Sequence, residues 1–477
     1  MNIPVAFNSL AELPEGWSWQ PLQSLTANPK QDVVDGPFGS DLKASEYVSS
    51  GVPIARLQNI DRNAFVTKNI RFLTPEKAAD LARHEFRPDD ILITKLGDPL
   101  GKACIVPASI GRGVIVADLV RVRPDEKLVD RKYLTYAINS PTLVKQFELH
   151  TKGTTRPRVN LSVLRQLPIP MAPRAKQNEI VAELEKQFSR LDEAVANLQR
   201  VKANLKRYKA SVLKAAVEGR LVETEASLAH REGRTFETGE QLLQRIHEER
   251  RAKWSGRGKY KEPVAPDEEG LHNLPEGWVW CACDQISEKI TDGEHISPST
   301  ITHGVPLLSA KDVLDTGVTF DDAKFVSAVD SEKFRSRCNP DRDDALIVSR
   351  GATIGRACLV NSDRVFCLMG SVILMKPHAA VSSAYLLHAL KAGFFQTRLT
   401  AVSGSTAQQA IYIRDIRPLQ MPLPPQIEQA RIVSEVDRHL SIVREVEAEV
   451  DTNLKRAQAL RQATLAKAFA RTSGVAE

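Results

Sequence analysis

The sequence predicts a mixed α+β protein made of two tandem copies of one unit, each ending in a long helix. Three observations predict this fold class. Landmarks of the first half recur in the same order about 250 residues later in the chain. Within each copy, short apolar runs alternate with turns rich in Gly, Pro and Asp, a pattern typical of mixed helix and strand structure. Each copy then ends in a heptad pattern of apolar residues.

The internal repeat can be read directly from the sequence. Residues 13–17, Leu-Pro-Glu-Gly-Trp, return at 274–278, and the stretch 89–106 returns at 343–360. Shorter matches lie between these landmarks, at 35–36 and 292–293, 51–53 and 304–306, 152–155 and 403–406, and 177–181 and 429–433. Because the repeated unit is far longer than a solenoid repeat, the pattern indicates a duplicated domain.

The composition limits the class of protein. The chain has 477 residues, 42% of them hydrophobic, which is enough for about two to four domains with buried cores. The sequence contains no long apolar run and no signal-peptide pattern at its start, so we expect no membrane span and a cytoplasmic location. The 6 cysteines include no C-x-x-C pair, which favours reduced thiols. The formal net charge of +6 permits nucleic-acid binding without demonstrating it.

Local patterns predict the elements of each globular part. Residues 91–93 and 346–348 are predicted to form short buried strands, and the glycines that follow them to form tight turns. Residues 133–147 and 385–399 are each predicted to form one amphipathic helix. Between the copies, residues 239–254 are predicted to be helical and 255–270 to form an exposed linker.

The heptads predict two long helices that pack on each other. A helix over residues 178–217 would be about 60 Å long, and a narrow apolar stripe cannot stabilise such a helix alone. Since the second copy carries the same stripe, we predict an intramolecular coiled coil. The predicted seam consists of Val181, Leu184, Phe188, Leu191, Val195, Leu198 and Leu205 in the first helix, and Val433, Val436, Leu440, Val443, Val450 and Leu454 in the second.

Two hints of catalysis fail when the copies are compared. Residues 97–103 look like a phosphate loop, but the stretch is one residue short and has Ala where Mg²⁺ binding needs Ser or Thr. A strand–turn–strand is the preferred interpretation. Asp125 and Asp130 suggest a metal-dependent nuclease, yet the second copy has His378 and a serine at these positions. We therefore predict no catalytic residues, cofactor site or metal site on this chain.

Taken together, the motifs resemble the specificity subunits of type I restriction-modification systems. The shared features are the Leu-Pro-Glu-Gly-Trp opening, the Gly-Val-Pro element, the Asp-Asp strand with its Gly-x3-Gly turn, and the stretch 422–433 before the second heptad helix. The linker over 238–263 is also similar, so the resemblance covers nearly the whole chain.

The resemblance implies an architecture and a role in defence against foreign DNA. It implies two target recognition domains, separated by two long antiparallel coiled-coil helices with pseudo-twofold symmetry, each reading one half of an asymmetric double-stranded DNA target. The helices would set the spacing and dock two modification (methyltransferase) subunits and the restriction subunits. S-adenosylmethionine, ATP and Mg²⁺ would bind those partners. The expected domains are 1–174, 175–220, 221–272, 273–425 and 426–472.

Candidate DNA-binding residues follow from the chemistry of base readout. Arg, Lys, Gln, Ser and Thr on loops can contact base edges and phosphates. The predicted contacts are Lys43, Arg56, Lys95, Lys152, Thr154, Thr155, Arg156, Arg158, Lys311, Arg350, Ser403, Ser405, Thr406, Gln408 and Gln409. Two other functions stay open: a coiled-coil scaffold that does not contact DNA, and a degenerate endonuclease or methyltransferase.

Overall fold

The chain folds into two compact units in the computed structural model, which describes residues 10, 12–39, 41–97, 99–150, 158–256, 258–404 and 409–470. Unit 1 comprises Met1–Gln199 and Asp451–Glu477, and unit 2 comprises Arg200–Val450. The two borders fall inside two 44-residue helices, Arg174–Val217 and Gln426–Phe469. Each unit therefore holds one globular part and one end of both long helices. None of the helices in the described ranges is long and apolar enough to cross a membrane.

Unit 1 contains two four-stranded sheets. One has the strand order Arg71–Leu73, Val52–Ala55, Gly113–Ile115, Glu85–Phe86, and the other Val33–Asp35, Leu119–Val122, Ile91–Thr94, Ala103–Ile105. Ser18–Pro21 pairs with Pro168–Met171, and Ile60–Asp61 with Ala64–Phe65. The helices of the globular part are Pro29–Asp32, Pro75–Asp80, Arg131–Asn139, Pro141–Leu149 and Leu161–Arg165, with 3-10 turns at Leu22–Leu25, Ala44–Glu46, Leu57–Asn59, Ala82–His84 and Ala108–Ile110.

Unit 2 repeats this plan with one strand fewer. A four-stranded sheet has the order Ser287–Asp292, Val372–Pro377, Ala345–Val348, Ala357–Leu359, and a three-stranded sheet the order Lys324–Val326, Val305–Leu308, Cys367–Leu368. Val279–Ala282 pairs with Gln420–Leu423, and Val313–Leu314 with Gly317–Val318. Its helices are Glu225–Glu232, Gly239–Ala252, Ala328–Arg337, Ser383–Lys391, Gly393–Val402 and Ile413–Ile416, with a 3-10 turn at Ala310–Asp312.

The predicted mixed α+β class is confirmed, and the central hairpins coincide between the copies. Ile91–Thr94 pairs antiparallel with Ala103–Ile105, and Ala345–Val348 pairs antiparallel with Ala357–Leu359. The stretch that looked like a phosphate loop is therefore the turn of a hairpin, as predicted. Gly101 has φ +71°, and a Cβ there would lie 2.4 Å from Cδ2 of Phe147, so the position requires glycine.

The prediction of one helix over 133–147 and one over 385–399 was wrong, because each is interrupted. Ser140 is extended (φ −67°, ψ 149°), since the residue before a proline avoids the helical region, and its hydroxyl caps the next helix. In the second copy the break lies at Ala392, before Gly393. The helix Glu225–Glu232 was not predicted. Thr224 caps its start, with the hydroxyl 3.2 Å from the amide of Ser227.

The heptad stripes are the buried faces of the long helices. Every residue of the predicted seam is buried or half-buried, whereas Val201 and Ile442, which lie off the seam, are 39% and 46% exposed. In unit 1, Phe188 near the start of the first helix shares a core with Phe469 at the end of the second. In unit 2, Val217 at the end of the first helix shares a core with Ile432 at the start of the second. The two helices therefore run antiparallel.

A buried glutamine joins each long helix to its globular part. In unit 1, Gln177 Nε2 donates to the carbonyl of Ala172 (2.9 Å), and Gln177 Oε1 accepts from the amide of Asp130 (2.9 Å). In unit 2, Gln429 donates to the carbonyl of Pro424 (3.2 Å) and accepts from the amide of Ser382 (2.8 Å). We call this pair of hydrogen bonds the glutamine latch.

A tyrosine and a helix cap complete the frame that the copies share. The Tyr133 hydroxyl donates to the carbonyl of Pro170 (2.5 Å), and that of Tyr385 to the carbonyl of Pro422 (2.8 Å). Asp130, which resembled a nuclease carboxylate, caps the helix Arg131–Asn139, and the serine at position 382 caps Ser383–Lys391 in the same way. Both side chains accept hydrogen bonds from the first turn, which explains why either residue suffices.

Candidate nucleic-acid interface

In each unit, the residues just before a short helix are anchored to the turn that follows the central strand. In unit 1, the amide of Val159 donates to the carbonyl of Lys95 (3.0 Å), and Leu96 forms a β-bridge with Arg158. In unit 2, the amide of Ile411 donates to the carbonyl of Ser349 (2.9 Å), and Arg350 forms a β-bridge with Ala410. We call this arrangement the loop anchor. It brings together the two segments, turn and loop, that sequence analysis selected separately.

The loop anchor carries one exposed arginine in each unit, on opposite members of the bridge. In unit 1 it is Arg158, on the loop side, opposite Leu96. In unit 2 it is Arg350, on the turn side, opposite Ala410. The same backbone frame thus presents its cation from different segments. Seven of the predicted contacts lie outside the described residues, namely Lys152, Thr154, Thr155, Arg156, Ser405, Thr406 and Gln408.

Lys95 is a predicted contact whose charge is already paired. Its ammonium lies 2.7 Å from Oδ2 of Asp35, and the two side chains are only 10% and 17% exposed. A contact to DNA would require this ion pair to open. In unit 2 the equivalent carboxylate, Asp292, is bound by Arg337 and lies 2.9 Å from Nε2 of His295. The repeated aspartate is therefore paired with Lys95 in unit 1 and with Arg337, from a different segment, in unit 2.

The other predicted contacts differ in how freely they can reach a ligand. Lys43 and Gln409 are exposed, whereas Ser403 is buried and donates to the carbonyl of Thr400 (2.8 Å). Arg56 is half-buried and donates to the carbonyl of Asn69. Lys311 donates to the carbonyl of Asp322 (2.8 Å). Their assignments as DNA contacts stay predictions.

Sequence analysis missed Tyr412 and Arg414, two exposed residues beside the loop anchor of unit 2. The guanidinium carbons of Arg350 and Arg414 lie 5.7 Å and 4.9 Å from the ring centroid of Tyr412. A comparison of the copies could have found them, since Asn160 and Ser162 occupy these positions in the first repeat.

The chemistry of these surfaces suits nucleic-acid contact. Guanidinium and amide groups bind phosphate oxygens and base edges, and aromatic rings stack on cations. Among residues 10–470 that are described, no group of three His, Cys, Asp or Glu side chains is arranged to hold a metal ion.

Comparison with known proteins finds one family model and several relatives. Residues 304–455 match the family model described as "Type I restriction modification DNA specificity domain". The chain is 24% identical, over 479 aligned residues, to the Escherichia coli type I restriction enzyme EcoAI specificity subunit, covering 89% of this chain and 78% of that protein. The chain is thus similar to type I restriction specificity subunits over most of its length, and residues 304–455 match their specificity domain. A second relative, the EcoKI specificity subunit of E. coli strain K12, is 22% identical, with 97% of this chain and 90% of that protein covered.

The fold also agrees with a solved member of a type I system. The structure titled "Structural basis underlying complex assembly and conformational transition of the type I R-M system" superposes with a TM-score of 0.62 at 19% identity, covering 97% of this chain and 100% of that chain. The matched specificity domain contains the loop anchor of unit 2 and the first part of the second long helix.

Proposed function

We propose that this specificity subunit reads DNA for a type I restriction-modification complex, with each globular part contacting one half of an asymmetric, bipartite target. The divergence at the loop anchor carries the proposal. Leu96 and Arg158 in one unit correspond to Arg350 and Ala410 in the other, on the same hydrogen-bonded frame. A shared frame that presents unlike side chains is what recognition of two unlike half-sites requires.

The proposal assigns the chemistry of the complex to other subunits. Two modification subunits dock on this chain, and restriction subunits join them. S-adenosylmethionine, ATP and Mg²⁺ bind to those partners, while the long helices set the distance between the half-sites. The chain itself acts as the non-catalytic reader.

A groove in unit 1, open among the described residues, supports docking of a modification subunit. The groove has a volume of about 700 Å³ and is lined by Trp17, Ile180, Leu184 and the last turns of the second long helix. At the equivalent place in unit 2, Ile432 is fully buried in a core that includes Leu242 and Ile246 of the chain's own helix Gly239–Ala252. Among the described residues, the chain covers this apolar surface in unit 2 only, and we assign the covering element in unit 1 to the modification subunit.

The decisive experiment measures sequence-specific modification. The complex is assembled with and without this chain, and methylation is mapped along random DNA. We expect modification at one bipartite sequence with the chain present, and duplex binding whose affinity falls steeply with salt. If the modification subunit methylates all DNA equally with and without the chain, the proposal is wrong.

A further inference from the structure

Unit 2 presents an exposed aromatic ring in contact with two cations, next to its loop anchor. Tyr412 is 45% exposed, and the side chain of Arg414 is 80% exposed. The guanidinium carbons of Arg350 and Arg414 lie 5.7 Å and 4.9 Å from the Tyr412 ring centroid. Both distances are within the range of cation–π attraction, so the ring restrains two otherwise flexible side chains. We call these three residues the Tyr412 cluster.

The Tyr412 cluster keeps an excess of positive charge. Asp415 Oδ1 lies 3.6 Å from Nε of Arg414, and its other oxygen accepts from the amide of Tyr412 (3.0 Å). Within the described part of the chain, Arg350 has no carboxylate within 4.0 Å. Two guanidinium groups near one ring, with Asp415 as the one carboxylate paired with either of them in the described residues, favour the binding of an anion.

The first repeat shows that the frame does not need the Tyr412 cluster. Leu96, Asn160 and Ser162 occupy the corresponding positions in unit 1. There the loop anchor forms with the same hydrogen bond, and the short helix Leu161–Arg165 begins at the same point. The cluster is therefore not explained by folding, and its exposure and charge favour a role in binding.

We propose, building on the function proposed above, that the Tyr412 cluster is a DNA-contact site that gives unit 2 a preference for a G·C pair within its half-site. Arg350 contacts the guanine edge, because its backbone is fixed by the β-bridge to Ala410 and bidentate Arg–guanine pairing is the commonest specific contact. Arg414 contacts a phosphate. Tyr412 is a positioning residue that holds both guanidinium groups.

The test uses the assembled complex after its bipartite target has been mapped. We expect Arg350→Ala to lower affinity for the cognate duplex about 5- to 150-fold and to relax discrimination at one base pair of a single half-site. Arg350→Lys keeps the charge but loses the bidentate fork, so it should lose discrimination while keeping the salt dependence. Arg414→Ala should weaken cognate and unrelated duplexes alike, and lower the slope of log affinity against log salt by about 1.

The tyrosine and a matched control complete the design. Tyr412→Phe should retain binding because the ring remains, whereas Tyr412→Ala should lose part of both effects. The control is Arg364→Ala, which removes another exposed guanidinium of unit 2, stacked 5.0 Å from the ring centroid of Phe320 and outside the loop anchor. It should bind as the wild type does.

The outcomes separate this inference from the proposed function. If the wild-type complex is sequence-specific and both Arg350 variants keep full discrimination at every position, the assignment of the Tyr412 cluster is overturned and the reader function stands. If the wild-type complex shows no sequence preference at all, the reader function itself fails. Correct assembly of each variant with its partner subunits is the check on folding.

Discussion

The glutamine latch predicts a stability effect that is confined to one unit. Gln429 is fully buried, and its amide holds the Ser382 amide and the Pro424 carbonyl at the junction of the second long helix and its globular part. Gln429→Ala removes the side chain that pairs with both of these backbone groups. Each stranded group costs about 1–3 kcal/mol, so we expect a loss of about 2–6 kcal/mol in the local free energy of opening.

Hydrogen exchange read by mass spectrometry measures this loss locally. A loss of about 2 kcal/mol corresponds to a roughly 30-fold fall in protection at the Ser382 amide and in the helix Ser383–Lys391. The amide of Asp130, held by Gln177 in unit 1, serves as the internal control and should exchange at an unchanged rate.

A matched substitution sharpens the comparison. Gln426→Ala changes the same residue type three positions earlier in the same helix, where the side chain is exposed and accepts one hydrogen bond from Arg245 (3.2 Å). It should alter protection by less than threefold, as surface substitutions usually cost under about 0.5 kcal/mol. Equal effects of the two substitutions on the Ser382 amide would refute the latch as a stabilising contact.

Three further predictions concern the helices, a buried ion pair and acid stability. Leu191→Pro, in the half-buried seam, should cost about 3 kcal/mol or more and abolish co-purification with partner subunits; intact assembly would contradict the paired helices. Lys95→Ala should destabilise unit 1 by about 3–5 kcal/mol in urea unfolding, because it strands Asp35, and adding Asp35→Ala should recover part of that loss. Burial lowers the pKa of His378 and His388 below the ordinary 6.5. Their contribution to the stability of unit 2 is therefore complete above pH 6.5 and is lost as pH falls through the depressed pKa values. Exchange at pH 7.5 and 5.5 should show this loss in unit 2, and it should shrink in a variant with glutamine at both positions.

The sequence predicts those features of the fold that depend on local or periodic patterns. The strands 91–93 and 346–348, their glycine turns and the heptad stripes all follow from side-chain period and from residues that permit positive φ. The interrupted helices were missed because apolar periodicity continues across Ser140 and Pro141, and a short break does not change the stripe. There the restriction on the residue before proline prevails over the periodic pattern.

The candidate interface was less predictable because its contacts are between residues distant in the chain. Lys95 has the composition of a DNA contact, yet its charge is satisfied by Asp35, which lies 60 residues earlier. Tyr412 looks like an ordinary half-exposed aromatic until the fold places Arg350 against its ring. Side-chain type and spacing carry no information about such pairings, so only the structure separates paired cations from available ones.

The duplication separates residues that maintain the frame from residues that can read DNA. At the helix cap, Asp130 is replaced by a serine in the second copy, and both accept a hydrogen bond from the amide of the following tyrosine, Tyr133 or Tyr385, so this local interaction is common to the two copies. At the loop anchor, Leu96 is replaced by Arg350, and no interaction within the described chain is preserved by that change in size and charge. A change of side-chain chemistry on an unchanged backbone frame is what the proposed DNA contact predicts. The proposed DNA contacts thus lie at the loop anchor and the Tyr412 cluster, whereas the latch, the tyrosine hydroxyls and the helix caps form a frame that both units share.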